Sequence, residues 1–261
     1  MYSTRSTMLS RIYSVALISA LSIGSQFAYA DGLSDLKTAL VRLQGATPVK
    51  ANLEAKTWSR QGDGKDADER SGIASVQIEE GPRGLQVYYS RDLLSRLETE
   101  ERAREKDPKA KTPTLSALND INSSELRPLI YAANSLSRSV EKAIFKNEKA
   151  DTYNGKPARL LSFEMTIDKM TEKERKYIKK YEGNLDIWIA ADGTPLASRM
   201  HETASGRAFI VISFETSNDN DQVYGLVGDR LVMIRKETKS SGAGAGEKGE
   251  MRSIKTLQLQ S

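Results

Sequence analysis

Apolar positions recur along this chain with two different periods. Over residues 33–44, Leu33, Leu36, Leu40, Val41 and Leu43 are spaced three and four apart, and Gly45 with Thr47-Pro48 stops the run. That spacing predicts one short amphipathic helix. From Val49 to Tyr89 the period falls to two: Leu53, Ala55 and Thr57 alternate with polar neighbours, as do Ala74, Val76 and Ile78, and then Leu85, Val87 and Tyr89. Polar, Gly-containing breaks at 61–68 and 81–84 separate the three runs, which predicts an antiparallel meander.

Helical spacing returns in mid-chain. Residues 91–106 are rich in Leu, Glu and Arg and stop at Asp107-Pro108. Pro113 starts a second short run through Leu115 and Leu118, and Ser123-Ser124-Glu125 opens a helix with Leu126, Leu129, Ile130, Ala133 and Leu136 on one face. Residues 91–139 therefore form an insert of helices with one apolar side each, which need a sheet to cover.

The second half returns to strands. The turn Asn154-Gly155-Lys156-Pro157 leads into Arg159–Ile167, with Leu161, Phe163, Met165 and Ile167 on one face. Leu185, Ile187 and Ile189 alternate with Asn184, Asp186 and Trp188, and Asp192-Gly193-Thr194-Pro195 turns the chain into 196–204. Gly206 is expected to separate that strand from 209–214, and Gly228-Asp229 to separate 223–227 from 231–236. Over 168–182, Thr171 with Glu174 suits a capping box, while Tyr177 and Tyr181 lead into the next strand, so one helical turn and then an early strand start is favoured. Residues 240–250 are Gly/Ser-rich and read as a flexible loop; Ile254, Leu257 and Leu259 suggest a last edge strand. The organisation expected is a single domain over 31–239, followed by that loop and strand over 240–261.

Composition changes the picture at the amino terminus. Arg5 and Arg11 precede an apolar run from Ile12 to Ile23, and Ala28-Tyr29-Ala30 offers a cleavage site, so residues 1–30 read as a secretory signal. The apolar run is shorter than the ~20 residues of a bilayer span. The mature protein is then expected in the periplasm, without a membrane anchor. The chain carries 39 Lys plus Arg against 35 Asp plus Glu. Only two of the basic residues and none of the acids lie in the signal, and the remaining charges are mixed, so nucleic acid is not an expected partner.

Candidate chemistry is sparse. The chain has no Cys and one His, which removes thiol nucleophiles, Cys-ligated metals and a lipidated amino-terminal Cys. His201 shares a polar strand face with Arg199 and Thr203, and no Gly-x-Ser-x-Gly turn exists to partner it. The acids Asp63, Asp66, Asp68 and Glu69, and the run Asn218-Asp219-Asn220-Asp221, lack the order of a calcium loop. Glu164 and Asp186 flank strand hydrophobics and are the carboxylates a hydrolase would use, but water-facing positions suit them better. No catalytic residue, metal or cofactor is expected.

What remains is distributed: one curved antiparallel sheet, α+β overall, with a helical insert over its apolar face. If the helices leave space, the cavity would be lined by Leu85, Val87, Tyr89, Leu161, Phe163, Met165, Leu185, Ile187, Ile189, Ile210, Ile212 and Phe214, and could hold an acyl chain.

The stretch from Tyr153 through Asn154-Gly155-Lys156-Pro157-Ala158-Arg159-Leu160, the run Leu185-Asp186-Ile187-Trp188-Ile189, and Asp192-Gly193-Thr194-Pro195-Leu196 are similar to strands and turns of the periplasmic lipoprotein-carrier (Lol) superfamily. The order of elements over 31–239 resembles that group too. The resemblance implies an unclosed β-barrel, or half-barrel, with helices as a lid, and non-enzymatic binding and transport of a lipid or a lipidated protein. It transfers no functional residue, and the missing Cys departs from the membrane-anchored receptor form. The alternative is an envelope module with a filled core that binds another protein.

Overall fold

The computed structural model describes residues 31–208 and 212–260. The candidate signal at 1–30 and the expected lining residue Ile210 lie outside them. Asp31–Ser261 forms one compact unit.

Among the described residues, ten antiparallel strands make one sheet. In chain order they are β1 (Val49–Gln61), β2 (Asp68–Gly81), β3 (Gly84–Tyr88), β4 (Ala143–Tyr153), β5 (Lys156–Met165), β6 (Ile178–Ile189), β7 (Pro195–Ala208), β8 (Ile212–Val227), β9 (Arg230–Gly244) and β10 (Glu247–Leu259). They lie side by side as β3-β2-β1-β10-β9-β8-β7-β6-β5-β4. The edges β3 and β4 do not pair, so the sheet is curled but unclosed, the half-barrel that the sequence leads one to expect. The helices are α1 (Gly32–Arg42), α2 (Arg91–Lys106), α3 (Pro113–Asn119), α4 (Ser123–Ile130), α5 (Ala132–Lys142) and a single turn, α6 (Glu172–Arg175).

Helices α1, α2 and α4 start where the sequence satisfies the orphan amides of a first turn. The Asp31 side chain accepts from Leu33 N, Ser90 Oγ from Leu93 N, and Asn122 Oδ1 from Ser124 N and Glu125 N. For α3 the acceptor is remote: the Glu100 carboxylate on α2 takes both Thr114 N (2.9 Å) and Leu115 N (3.0 Å). The helices share one buried cluster with the strands. Leu36 and Leu40 of α1, Ala117 of α3, Leu126, Leu129 and Ile130 of α4, and Leu136 and Val140 of α5 meet Ala51, Leu53, Val76, Ile78, Leu161, Phe163, Leu185 and Ile187.

Several sequence expectations are corrected. The Gly/Ser-rich stretch is no loop: β9 runs to Gly244, Ala245 and Gly246 make a two-residue turn with φ of 54° and 82°, and β10 begins at Glu247. Small residues are tolerated there because each strand has a neighbour on both sides. For the same reason β10 is a central strand between β1 and β9, not an edge. Gly206 lies inside β7, not at a break; a Cβ there would stand 1.9 Å from Tyr177 O, so glycine permits a close backbone approach. The helix expected from 123 onward is two, parted at Tyr131 (φ −114°, ψ 54°) after Pro128. Strand β4 has no counterpart in the sequence reading, being a charged edge with a bulge between Phe145 and Asn147.

Candidate functional site

Strand register decides which residues face the helices. Leu161, Ile187, Ser198, Gln222, Lys236, Lys255 and Ala55 are paired one to the next from β5 to β1, so all seven point to the same side. The next inward row runs Phe163, Leu185, Met200, Asn220, Thr238, Ser253 and Thr57. The inner face is thus apolar on its two flanks and polar along its middle strands.

The helical excursion from α2 to α5 covers this face and is fixed to its polar middle by charge. Lys255 is 2% exposed. Its Nζ lies 2.7 Å from Asp120 Oδ2, just before α4, and 3.0 Å from Glu125 Oε2 on α4. Lys236 Nζ donates to the same Glu125 oxygen at 2.9 Å, and Ser253 Oγ donates to Asp120. Burial alone would push the Glu125 carboxyl up, but the hydrogen bonds and charges of Lys236 and Lys255 outweigh it and hold the group below its ordinary range. Directly paired lysines on adjacent strands repel. The two carboxylates of the cover are what neutralise them.

A second anchor sits where α4 gives way to α5. The Tyr131 hydroxyl donates to Glu80 Oε1 at 2.8 Å, the Arg230 guanidinium pairs with the other Glu80 oxygen, and Arg230 Nε donates to Gly45 O at 3.0 Å. The hydrogen bond to Glu80 pushes the Tyr131 phenol up, as burial does. Glu80 and Arg230 are both buried. At α3 the contact is backbone to backbone: a Cβ on Gly72 of β2 would stand 2.1 Å from Pro113 O.

Of the twelve expected lining residues, the eleven that are described fall into distinct groups. Leu161, Phe163, Leu185, Ile187 and Ile189 are at most 2% exposed and packed in the common cluster. Leu85, Val87 and Met165 are half-buried against it. Ile212 and Phe214 sit at the start of β8, where Ile212 pairs with Ala208 and Phe214 with Gly206. Tyr89, 44% exposed, follows β3 and borders a groove of about 420 Å³ with Asn52, Gln77 and Ser90. Other grooves open at the strand ends past α3. One of about 460 Å³ is bordered by Ser59, Arg70, Asn218 and Ser240, and one of about 560 Å³ by Tyr181, Thr203, Thr216 and Gly249. These grooves are lined mainly by polar residues.

The outer face carries the other candidates. His201 Nδ1 is 2.6 Å from Asp219 Oδ1, Arg199 Nε is 2.7 Å from Asp221 Oδ1, Asp186 accepts from Ser162 Oγ at 2.6 Å, and Glu164 pairs with Lys146. Asn220, from the same run of four as Asp219 and Asp221, instead points inward to Thr238 Oγ1. Sequence reasoning missed Lys236, Lys255, Asp120, Glu80 and Arg230. The signal for Lys255 was its even spacing, two and four residues, from Leu257 and Leu259, which puts a lysine on an apolar face.

No helix among the described residues is long and apolar enough to cross a membrane. No family model and no curated protein matches the chain. Among solved structures, a crystal structure of a LolA superfamily protein from Nitrosomonas europaea is similar over 88% of this chain and 94% of that one, at 11% sequence identity and a TM-score of 0.29. The likeness is structural and weak.

Proposed function

We propose that this is a binding protein for a lipid or a lipidated protein, exported to the periplasm and released from residues 1–30, and that it receives the acyl chain between the curved sheet and the helices α2 to α5. One observation carries the proposal. The apolar inner face is roofed by a single chain excursion that packs Leu126, Leu129, Ile130 and Leu136 into the common core and is tied to the polar middle of the sheet by ion pairs, Lys236 and Lys255 with Asp120 and Glu125. The carboxylates of such pairs can be replaced by another anion, whereas strand pairing has no such substitute. With the roof seated, Leu161, Ile187 and Leu53 are packed; with it raised, they form an apolar wall. The polar grooves at the strand ends suit the hydrophilic part of an amphipathic ligand.

Native mass spectrometry and lipid extraction of protein purified from the periplasm test this. Acyl ligand bound in near-stoichiometric amount is the expected result. Lipid-free protein that takes up no fluorescent fatty acid yet holds one stable protein partner would favour the envelope interaction module instead.

A further inference from the structure

The charged contacts that seat the roof also suggest what kind of lipid displaces it. Lys236 and Lys255 are direct cross-strand partners on the inner face, and both donate to one oxygen, Glu125 Oε2. Lys255 sits among Ala55, Ser253 and Leu257, with its ammonium buried. When α4 lifts, Asp120 and Glu125 leave with it, and two directly paired ammonium groups stay behind without a counter-charge, beside the apolar flank of Ala55 and Leu257, which is unfavourable unless another anion takes the carboxylates' place. A neutral ligand gives them nothing. An amphiphile with a terminal anion replaces the lost carboxylate while its chain covers the adjacent flank of Ala55, Leu53 and Leu257.

We infer that the ligand is an anionic single-headed lipid, a carboxylate or a phosphate monoester, whose head group binds Lys236 and Lys255 in the place that Glu125 and Asp120 hold in the closed form. The cover's own carboxylates are thus internal competitors of the ligand head. This rests on the binding function proposed above and narrows it.

Calorimetric titration with laurate, dodecyl phosphate and neutral glyceryl monolaurate, which share a twelve-carbon chain, separates the two. Both anions are expected to bind at least about tenfold more tightly than the neutral lipid, the yield of one hydrogen bond to a charged group. A difference between laurate and dodecyl phosphate then tells which head is preferred. Lys236→Gln, at the less buried lysine, is expected to erase most of that preference while retaining the neutral lipid. Because substitutions at buried ion pairs can impair folding, Glu125→Gln provides a gain: removal of the competitor raises the anion-over-neutral ratio. Equal binding of all three lipids by the parent protein, or an unchanged ratio in both variants, overturns the inference but leaves lipid binding intact. No binding of any of the three overturns both.

Discussion

Replacing Gly72 with Ala isolates the seating of the cover from everything else in the molecule. Gly72 lies in β2 outside the left-handed region, so a methyl group meets no backbone strain in its own strand. What it meets is α3: the new Cβ would stand 2.1 Å from Pro113 O and 3.0 Å from Ala117 N. Both are backbone atoms and cannot rotate away. An ordinary carbon–oxygen contact is more than ~3 Å, so α3 must retreat by about 1 Å. That retreat loosens Thr114 and Ala117, which are 3% and 0% exposed. Overpacking of this kind costs about 1–3 kcal/mol, while Gly→Ala returns about 0.4–1 kcal/mol through the unfolded chain, so a net loss of about 1–2 kcal/mol is expected in urea unfolding. Faster amide exchange should be confined to 113–142. Gly249→Ala in β10 is the control, because its nearest contact is an ordinary 3.8 Å to Arg60 O, and it should lie within about 0.5 kcal/mol of the parent. A Gly72→Ala protein as stable as the parent, with unchanged exchange in the helices, would refute the close seating of α3.

The two anchors and the outer face carry further consequences. The Glu125 carboxyl sits below its ordinary value of 4.5 in the folded protein, so its stabilising effect is complete above that value and is lost as pH falls through the folded pKa. The cover should therefore loosen in acid, seen as dye uptake below about pH 4.5, and Glu125→Gln should remove that group's share of the pH dependence. Arg230→Met leaves Glu80 buried without its cation and should cost about 3–5 kcal/mol in urea unfolding; a loss under about 1 kcal/mol would mean that Glu80 finds another partner. His201→Asn removes a contact in which both side chains are about half exposed, and should leave both the unfolding midpoint and lipid binding essentially unchanged.

Periodicity made most of the architecture legible. The meander of β1 to β3, strands β5 and β6, helix α1 and the starts of α3 and α4 all carry local signals that tertiary packing reinforces. Failures came where local chemistry and neighbours disagree. Strand β4 reads as polar because it is an edge with a bulge near Lys146, and 240–250 reads as a loop because small residues there leave the ladder to flanking strands. The candidate site was the least legible part. Residue type alone assigns Lys236 and Lys255 to water; the parity of Lys255 with Leu257 hints otherwise, and the register across β1, β10, β9 and β8 shows both lysines turned inward. Ile254 and Leu257 illustrate the same point, since an odd spacing puts them on opposite faces, and pairing decides which one is inside.

The claim that joins fold to function is that the helices from α2 to α5 open as a unit while the sheet stays folded. Native-state amide exchange followed by mass spectrometry measures this directly. Amides of 91–142 are expected to exchange together, by an opening of lower free energy than that of β1, β9 and β10, and to respond to added laurate while the outer-face positions do not. Exchange of helices and central strands at one common free energy, unaffected by lipid, would contradict the account.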